Sequence, residues 1–155
     1  AQRPEWTWLN GIHTRVNLYT PYWDPECGFW LDAMAASGVT QLDKEVAVHQ
    51  LRGELAAVRK IPGNLGPLTD SRIAGRVVAH GAFPDRGQFF ALGGGTLFRG
   101  FDMGQREGSF LWVANSELRL PIVQRVNWDL LDHLSGARSV RLALFYDVGA
   151  VYSDA

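Results

Sequence analysis

The chain has 155 residues, 46% of them hydrophobic and 20% charged, with a formal net charge of -1. That balance fits a single folded domain and excludes both a disordered segment and the basic surface that holds nucleic acid. Cys27 is the lone cysteine, which excludes an intramolecular disulfide framework and a cysteine-based metal cluster, and no apolar run approaches the ~20 residues of a membrane-crossing helix.

Six segments read as β-strands, because a half-buried strand sends successive side chains to opposite faces. In residues 10–20, Ile12, Val16 and Leu18 alternate with His13, Arg15 and Asn17. Residues 28–38 set Phe29, Leu31, Ala33 and Ala35 against Asp32, although Trp30, Met34 and Ala36 share the aspartate's parity. Residues 46–60 place Leu51, Leu55 and Ala57 opposite Gln50, Arg52 and Glu54. Leu42, Val46, Leu55 and Val58 suit a helical stripe equally well there, and only the neighbouring strands tip the reading to a third strand.

In residues 71–83, Ile73, Val77 and Ala79 alternate with Arg72, Arg76 and His80. The last two segments are the clearest. Phe110, Trp112, Ala114, Leu118 and Leu120 oppose Asn115, Glu117 and Arg119, while Val140, Leu142, Leu144 and Val148 oppose Arg141 and Asp147. Residues 123–136, with Val126, Leu130, Leu131 and Leu134, suit either a short amphipathic helix or an extended turn.

Pro21, Pro62 and Pro121 are each expected to end a strand, the first, third and fifth, because proline cannot continue a central ladder. In an up-and-down meander these prolines share one rim, and the Gly-rich connection over residues 83–109 lies at the other. The runs, about 10–14 residues long, approach the ~9–11 of a tilted spanning strand. Tyr19, Tyr22, Trp23 and Trp30 gather where two segments meet, as an interfacial girdle would or as aromatics of a soluble core would. Alternation alone does not separate a lipid-facing sheet from one face of a sandwich.

Three motifs in order add a resemblance. Residues 89–101 read Phe-Phe-Ala-Leu-Gly-Gly-Gly-Thr-Leu-Phe-Arg-Gly-Phe, residues 115–121 Asn-Ser-Glu-Leu-Arg-Leu-Pro, and residues 144–152 Leu-Phe-Tyr-Asp-Val-Gly-Ala-Val-Tyr. The series resembles the C-terminal half of the bacterial surface-antigen barrels of the BamA/TamA type. Their diagnostic loop is Arg-Gly-Phe/Tyr after a glycine pair, here Arg99-Gly100-Phe101 after Gly93 and Gly94, with Phe98 in place of the usual aliphatic residue.

The resemblance implies an all-β, antiparallel, up-and-down transmembrane β-barrel, here incomplete, with about six strands and a long Gly-rich loop folding into the lumen. It implies that Arg99 meets Glu117 and Asp147 on the inner wall and stacks on Phe145. Parity agrees, since Phe145 and Asp147 share a face of one segment and Glu117 lies on the polar face of another. The implied role is non-catalytic: the barrel portion of a factor that inserts or assembles outer-membrane proteins, or alternatively a two-partner-secretion translocation pore or the barrel anchor of a larger enzyme. Residues 1–155 then form part of a C-terminal barrel domain, with POTRA domains upstream and final strands outside the sequence, because six strands are fewer than the eight of the smallest single-chain barrels. Alone, such a piece is expected to aggregate or pair its edges. The implied location is the bacterial outer membrane, and the implied partners are outer-membrane lipid, client outer-membrane or secreted proteins and accessory assembly proteins.

A soluble all-β glycosidase or carbohydrate-binding module is the competing reading, with Glu117 and Asp147 as paired carboxylates and six Trp to line a sugar cleft. An Arg99 seated between the carboxylates separates the two readings. His13, His49, His80 and His133 have no metal-ligand spacing, and neither a Gly-x-Ser-x-Gly elbow nor a phosphate loop is present. No catalytic residue, metal or cofactor is expected.

Overall fold

The computed structural model describes residues 6–21, 24–41, 45–63, 66–84, 90–94, 97–102, 104–123, 128–130, 135–137 and 140–153. Six long strands, β1 (Trp6–Asn17), β2 (Cys27–Gln41), β3 (Glu45–Lys60), β4 (Arg72–Phe83), β7 (Phe110–Val123) and β10 (Val140–Tyr152), form one antiparallel sheet in the order β1-β2-β3-β4-β7-β10. The connection after β4 carries its own two-stranded sheet, β5 (Phe90–Leu92) with β6 (Arg106–Gly108). A second short pair, β8 (Trp128–Leu130) with β9 (Ser135–Ala137), occupies the stretch that suited either a helix or a turn. The only helical element among the described residues is a single 3-10 turn at Gly66–Leu68. The protein is therefore all-β, and the long sheet is open, with β1 and β10 as its edges.

Cross-strand register assigns every position on the sheet to one of two faces. One polar row runs through the paired residues Arg15, Asp32 and Glu54; others pair Arg76 with Asn115, Asn115 with Asp147, and Glu117 with Phe145. The opposite face carries Ile12, Leu51, Leu55, Ile73, Val77, Leu142 and Leu144, all exposed to solvent. Among the described side chains of the six long strands, Arg59 is the one charged group on this apolar face. The segment that also suited a helix is thus a strand, because only period two puts Leu51 and Leu55 on one face with Arg52 and Glu54 on the other.

One expectation is corrected. Pro121 does not end its strand but lies inside β7, opposite Arg141 at a register shift. It is tolerated because β4 begins at Arg72 opposite Arg119, so β7 has already lost that neighbour at Pro121. Trp30 shares the polar face with Asp32, as its parity in the sequence indicates, and the Arg15 guanidinium lies 5.8 Å from its ring centre. Tyr22 and Trp23 lie outside the described residues.

The core sits between the sheet and the connection after β4. Val78 and Ala82 of β4 and Leu111 and Val113 of β7 pack with Phe90 and Leu92 of β5, and Leu97, Phe98 and Val151 close around them. The loop therefore folds back over the polar face, and burying these apolar groups contributes roughly 25 cal/mol for each Å² removed from water.

Candidate functional site

Glycines shape the loop that delivers Arg99. Gly94 has φ +87° and Gly100 φ +86°, a region that other residues enter only at a cost. Gly94 N–H donates to the Phe101 carbonyl at 3.0 Å, and Phe98 N–H donates back to the Gly94 carbonyl at 3.1 Å. These bonds close a tight turn with Arg99 and Gly100 at its tip, and the Phe98 and Phe101 rings pack 4.9 Å apart across it. Gly93 has φ +129° and is buried where β5 leaves the small sheet. A Cβ at Gly100 would meet nothing within 4 Å, so glycine is needed there for backbone conformation rather than for space.

The turn lowers Arg99 onto β7 and β10. Its Nε donates to Asp147 Oδ2 at 2.8 Å and its Nη2 to Asp147 Oδ1 at 2.6 Å, a two-pronged pairing, while the Arg99 backbone N–H adds a third bond to Oδ2 at 3.1 Å. Nη1 donates to Glu117 Oε2 at 3.2 Å, and the guanidinium carbon lies 3.8 Å from the centre of the Phe145 ring. Asp147 is only 4% exposed and Arg99 25%, so the pair sits largely out of water. The Asp147 hydrogen bonds push the Arg99 pKa above its already high value, and the cation persists at any ordinary pH.

Two further groups extend the site. Arg119 Nε donates to the other Glu117 oxygen at 2.6 Å, which makes Glu117 a bridge between two guanidinium groups. Asn115 Nδ2 donates to the Leu97 carbonyl at 3.1 Å and fixes the turn on its other side. Next to Arg99 a hollow of about 440 Å³ opens on the polar face, lined by Tyr19, Pro25, Arg76, Asn115, Glu117 and Arg119 among others. Burial there raises the Tyr19 hydroxyl pKa, with Glu54 adding to the effect.

No protein-family model matches the chain, and neither curated proteins nor solved structures gave a significant match. The site therefore stands on its own geometry. Arg99, Glu117, Phe145 and Asp147 are brought into mutual contact, with Gly93, Gly94, Phe98, Gly100 and Phe101 forming the turn that presents the arginine. The parts that the sequence left unnoticed are Asn115 as a backbone anchor, Arg119 as a second partner of Glu117, and a cluster around Asp24 at the opposite rim. Asn115 and Arg119 share parity with Glu117, and that was the one signal available for them.

The chemistry of the arrangement is mechanical. A guanidinium fork held by two carboxylates from adjacent strands and by an aromatic ring fixes a loop in place, and a lysine could reproduce neither the fork nor the stacking.

Proposed function

We propose that this chain is a wall segment of a bacterial outer-membrane β-barrel that inserts or assembles other outer-membrane proteins, working without covalent catalysis, with the Arg99 loop as an internal brace. The observation that carries the reading is the two-faced sheet. Its described charged groups, Arg59 apart, lie on one face with the loop folded over it, and a continuous field of exposed apolar side chains lies on the other. In a soluble protein so large an exposed apolar area calls for a covering partner, and membrane lipid covers it here.

The dimensions support the same reading. On β3, His49 and Arg59 bracket Leu51, Leu55 and Ala57 on the apolar face. Ten residues at about 3.4 Å each, tilted by about 40°, span about 26 Å of height, close to the ~25 Å apolar band of outer-membrane barrels. Aromatic side chains stand toward both ends of that face, with Trp6, Trp8, Phe83, Phe110 and Tyr152 at the loop rim and Phe29 and Tyr146 nearer the other. The edges β1 and β10 supply unpaired backbone groups that another strand can join, whether from the remainder of a barrel or from a client.

A translocation pore uses the same wall and brace and remains the second reading within this class. Arg99 speaks against the glycosidase reading, because its guanidinium lies between Glu117 and Asp147 where a sugar would have to enter.

The test is Leu55→Arg in the full-length protein, scored by outer-membrane fractionation and heat-modifiable gel mobility. An arginine on the lipid face near the middle of the membrane costs about 2–4 kcal/mol, so the heat-modifiable form should be largely lost. Ala56→Gln, on the polar face, should leave it intact. Equal behaviour of the two variants would overturn the membrane reading.

A further inference from the structure

At the rim opposite the loop, the turn between β1 and β2 also folds over the polar face. Arg72, at the start of β4, has a side chain only 3% exposed, and its partners come from that turn. Its Nη1 donates to Asp24 Oδ1 at 2.5 Å and to the Pro25 carbonyl at 3.0 Å, and its Nη2 donates to Asp24 Oδ2 at 3.2 Å. Arg141, on β10, holds the same carboxylate through Nη1 to Oδ1 at 3.0 Å and Nη2 to Oδ2 at 3.2 Å. One aspartate thus ties β4 to β10 across the intervening β7. The strap is seated by backbone bonds as well, since Lys60 N–H donates to the Glu26 carbonyl at 2.7 Å and Glu26 N–H to the Thr20 carbonyl at 3.0 Å.

The strap and the Arg99 brace share the same strands and the same hollow. Tyr19 and Pro25 from the strap side line it together with Arg99 and Glu117. Arg72 stands directly opposite Arg119 in the β4–β7 ladder, a like-charge pair that is tolerable only when each cation has its own carboxylate. Asp24 serves Arg72, and Glu117 serves Arg119 while also holding Arg99. Glu26, 3.6 Å from Arg72, is a looser partner.

We propose that Asp24 is a positioning residue for the Arg99 brace, an inference that rests on the brace reading above. By neutralising Arg72 and anchoring Arg141, Asp24 leaves Glu117 free to hold Arg99 and fixes the strand that carries Asp147. Losing the Asp24 charge sets Arg72 in competition with Arg99 for Glu117 and frees the lower end of β10. The rim turn and the lumen loop then act as a coupled pair, and release of one loosens the other.

The experiment is limited trypsin digestion of the full-length protein in detergent, with mass spectrometry of the cut sites. Scission after Arg99 requires its side chain to leave Asp147, whereas Arg106, exposed in the same loop, is the internal reference. Asp24→Asn is expected to speed cutting after Arg99 relative to Arg106 at least fivefold, with heat-modifiable mobility retained. Asp24→Glu should restore protection, and Asp32→Asn, which removes the partner of His13 and Arg15 at the far side of the sheet, should change nothing. Arg141→Gln gives a second route that leaves Arg72 paired, and a milder acceleration is expected. If Asp147→Asn exposes Arg99 while Asp24→Asn and Arg141→Gln do not, the coupling is refuted and the brace stands. If Asp147→Asn also has no effect, the brace reading itself falls.

Discussion

Neutralising Asp147 gives the sharpest measure of the loop's anchorage. Asp147 accepts three N–H bonds from Arg99 and is almost fully buried, so Asp147→Asn removes the charge and turns an amide group toward a donor. Removing one member of a buried ion pair costs about 3–5 kcal/mol. Arg99 is a quarter exposed and keeps Glu117 and Phe145, which sets the expected loss at the lower end. About 3 kcal/mol, at about 1.4 kcal/mol per decade, makes the undocked loop roughly a hundredfold more populated. The assay is thiol labelling of Leu92→Cys, a position 4% exposed beneath the loop, in a Cys27→Ser background. Arg99→Lys should raise labelling about tenfold, because charge is kept while the fork and the ring stacking are lost. A change of less than threefold in Asp147→Asn would refute the claim that this pair holds the loop.

Gly100→Ala should weaken docking by about 1 kcal/mol through backbone strain alone, seen as roughly fivefold faster labelling in the same assay. Acid should release the strap late. The hydrogen bonds of Arg141 and then Arg72 hold the Asp24 pKa at about 2, against an ordinary 3.8. A depressed folded pKa means that the stabilisation is complete above about pH 4 and is lost as pH falls through about 2. Protection of the Leu18, Thr20, Glu26 and Cys27 amides, taken relative to their intrinsic exchange rates, should therefore hold at pH 4 and fall toward pH 2. A loss of protection already complete at pH 4 would refute the assignment of the rim to Asp24.

The strands were legible because charged and apolar residues alternate in segments such as Glu117 to Leu120. The start of β1 was missed, since Leu9, beside Trp8, breaks the alternation and hides that Trp6 and Trp8 belong to the apolar face. Around Arg99, the motif resemblance is what grouped Glu117, Phe145 and Asp147, and parity on two strands agreed with it. The strap had no such signal. Asp24 meets Arg72 and Arg141 at separations of 48 and 117 residues, and only the fold brings a turn residue to two strands that flank a third.

The placement of the two carboxylates also bears on how the sheet finds its pairing. A slip of β7 against β10 by two residues keeps every side chain on its proper face, so hydrophobic patterning cannot oppose it. A slip that pairs Glu117 with Ala143 adds about 7 Å to its offset from Asp147, too far for one guanidinium to hold both. The opposite slip sets Glu117 directly across from Asp147, carboxylate against carboxylate, and takes it away from Phe145. The arginine thus works as a gauge of alignment, because its contacts with Asp147 and Phe145 on β10 and with Glu117 on β7 fit together in the observed register.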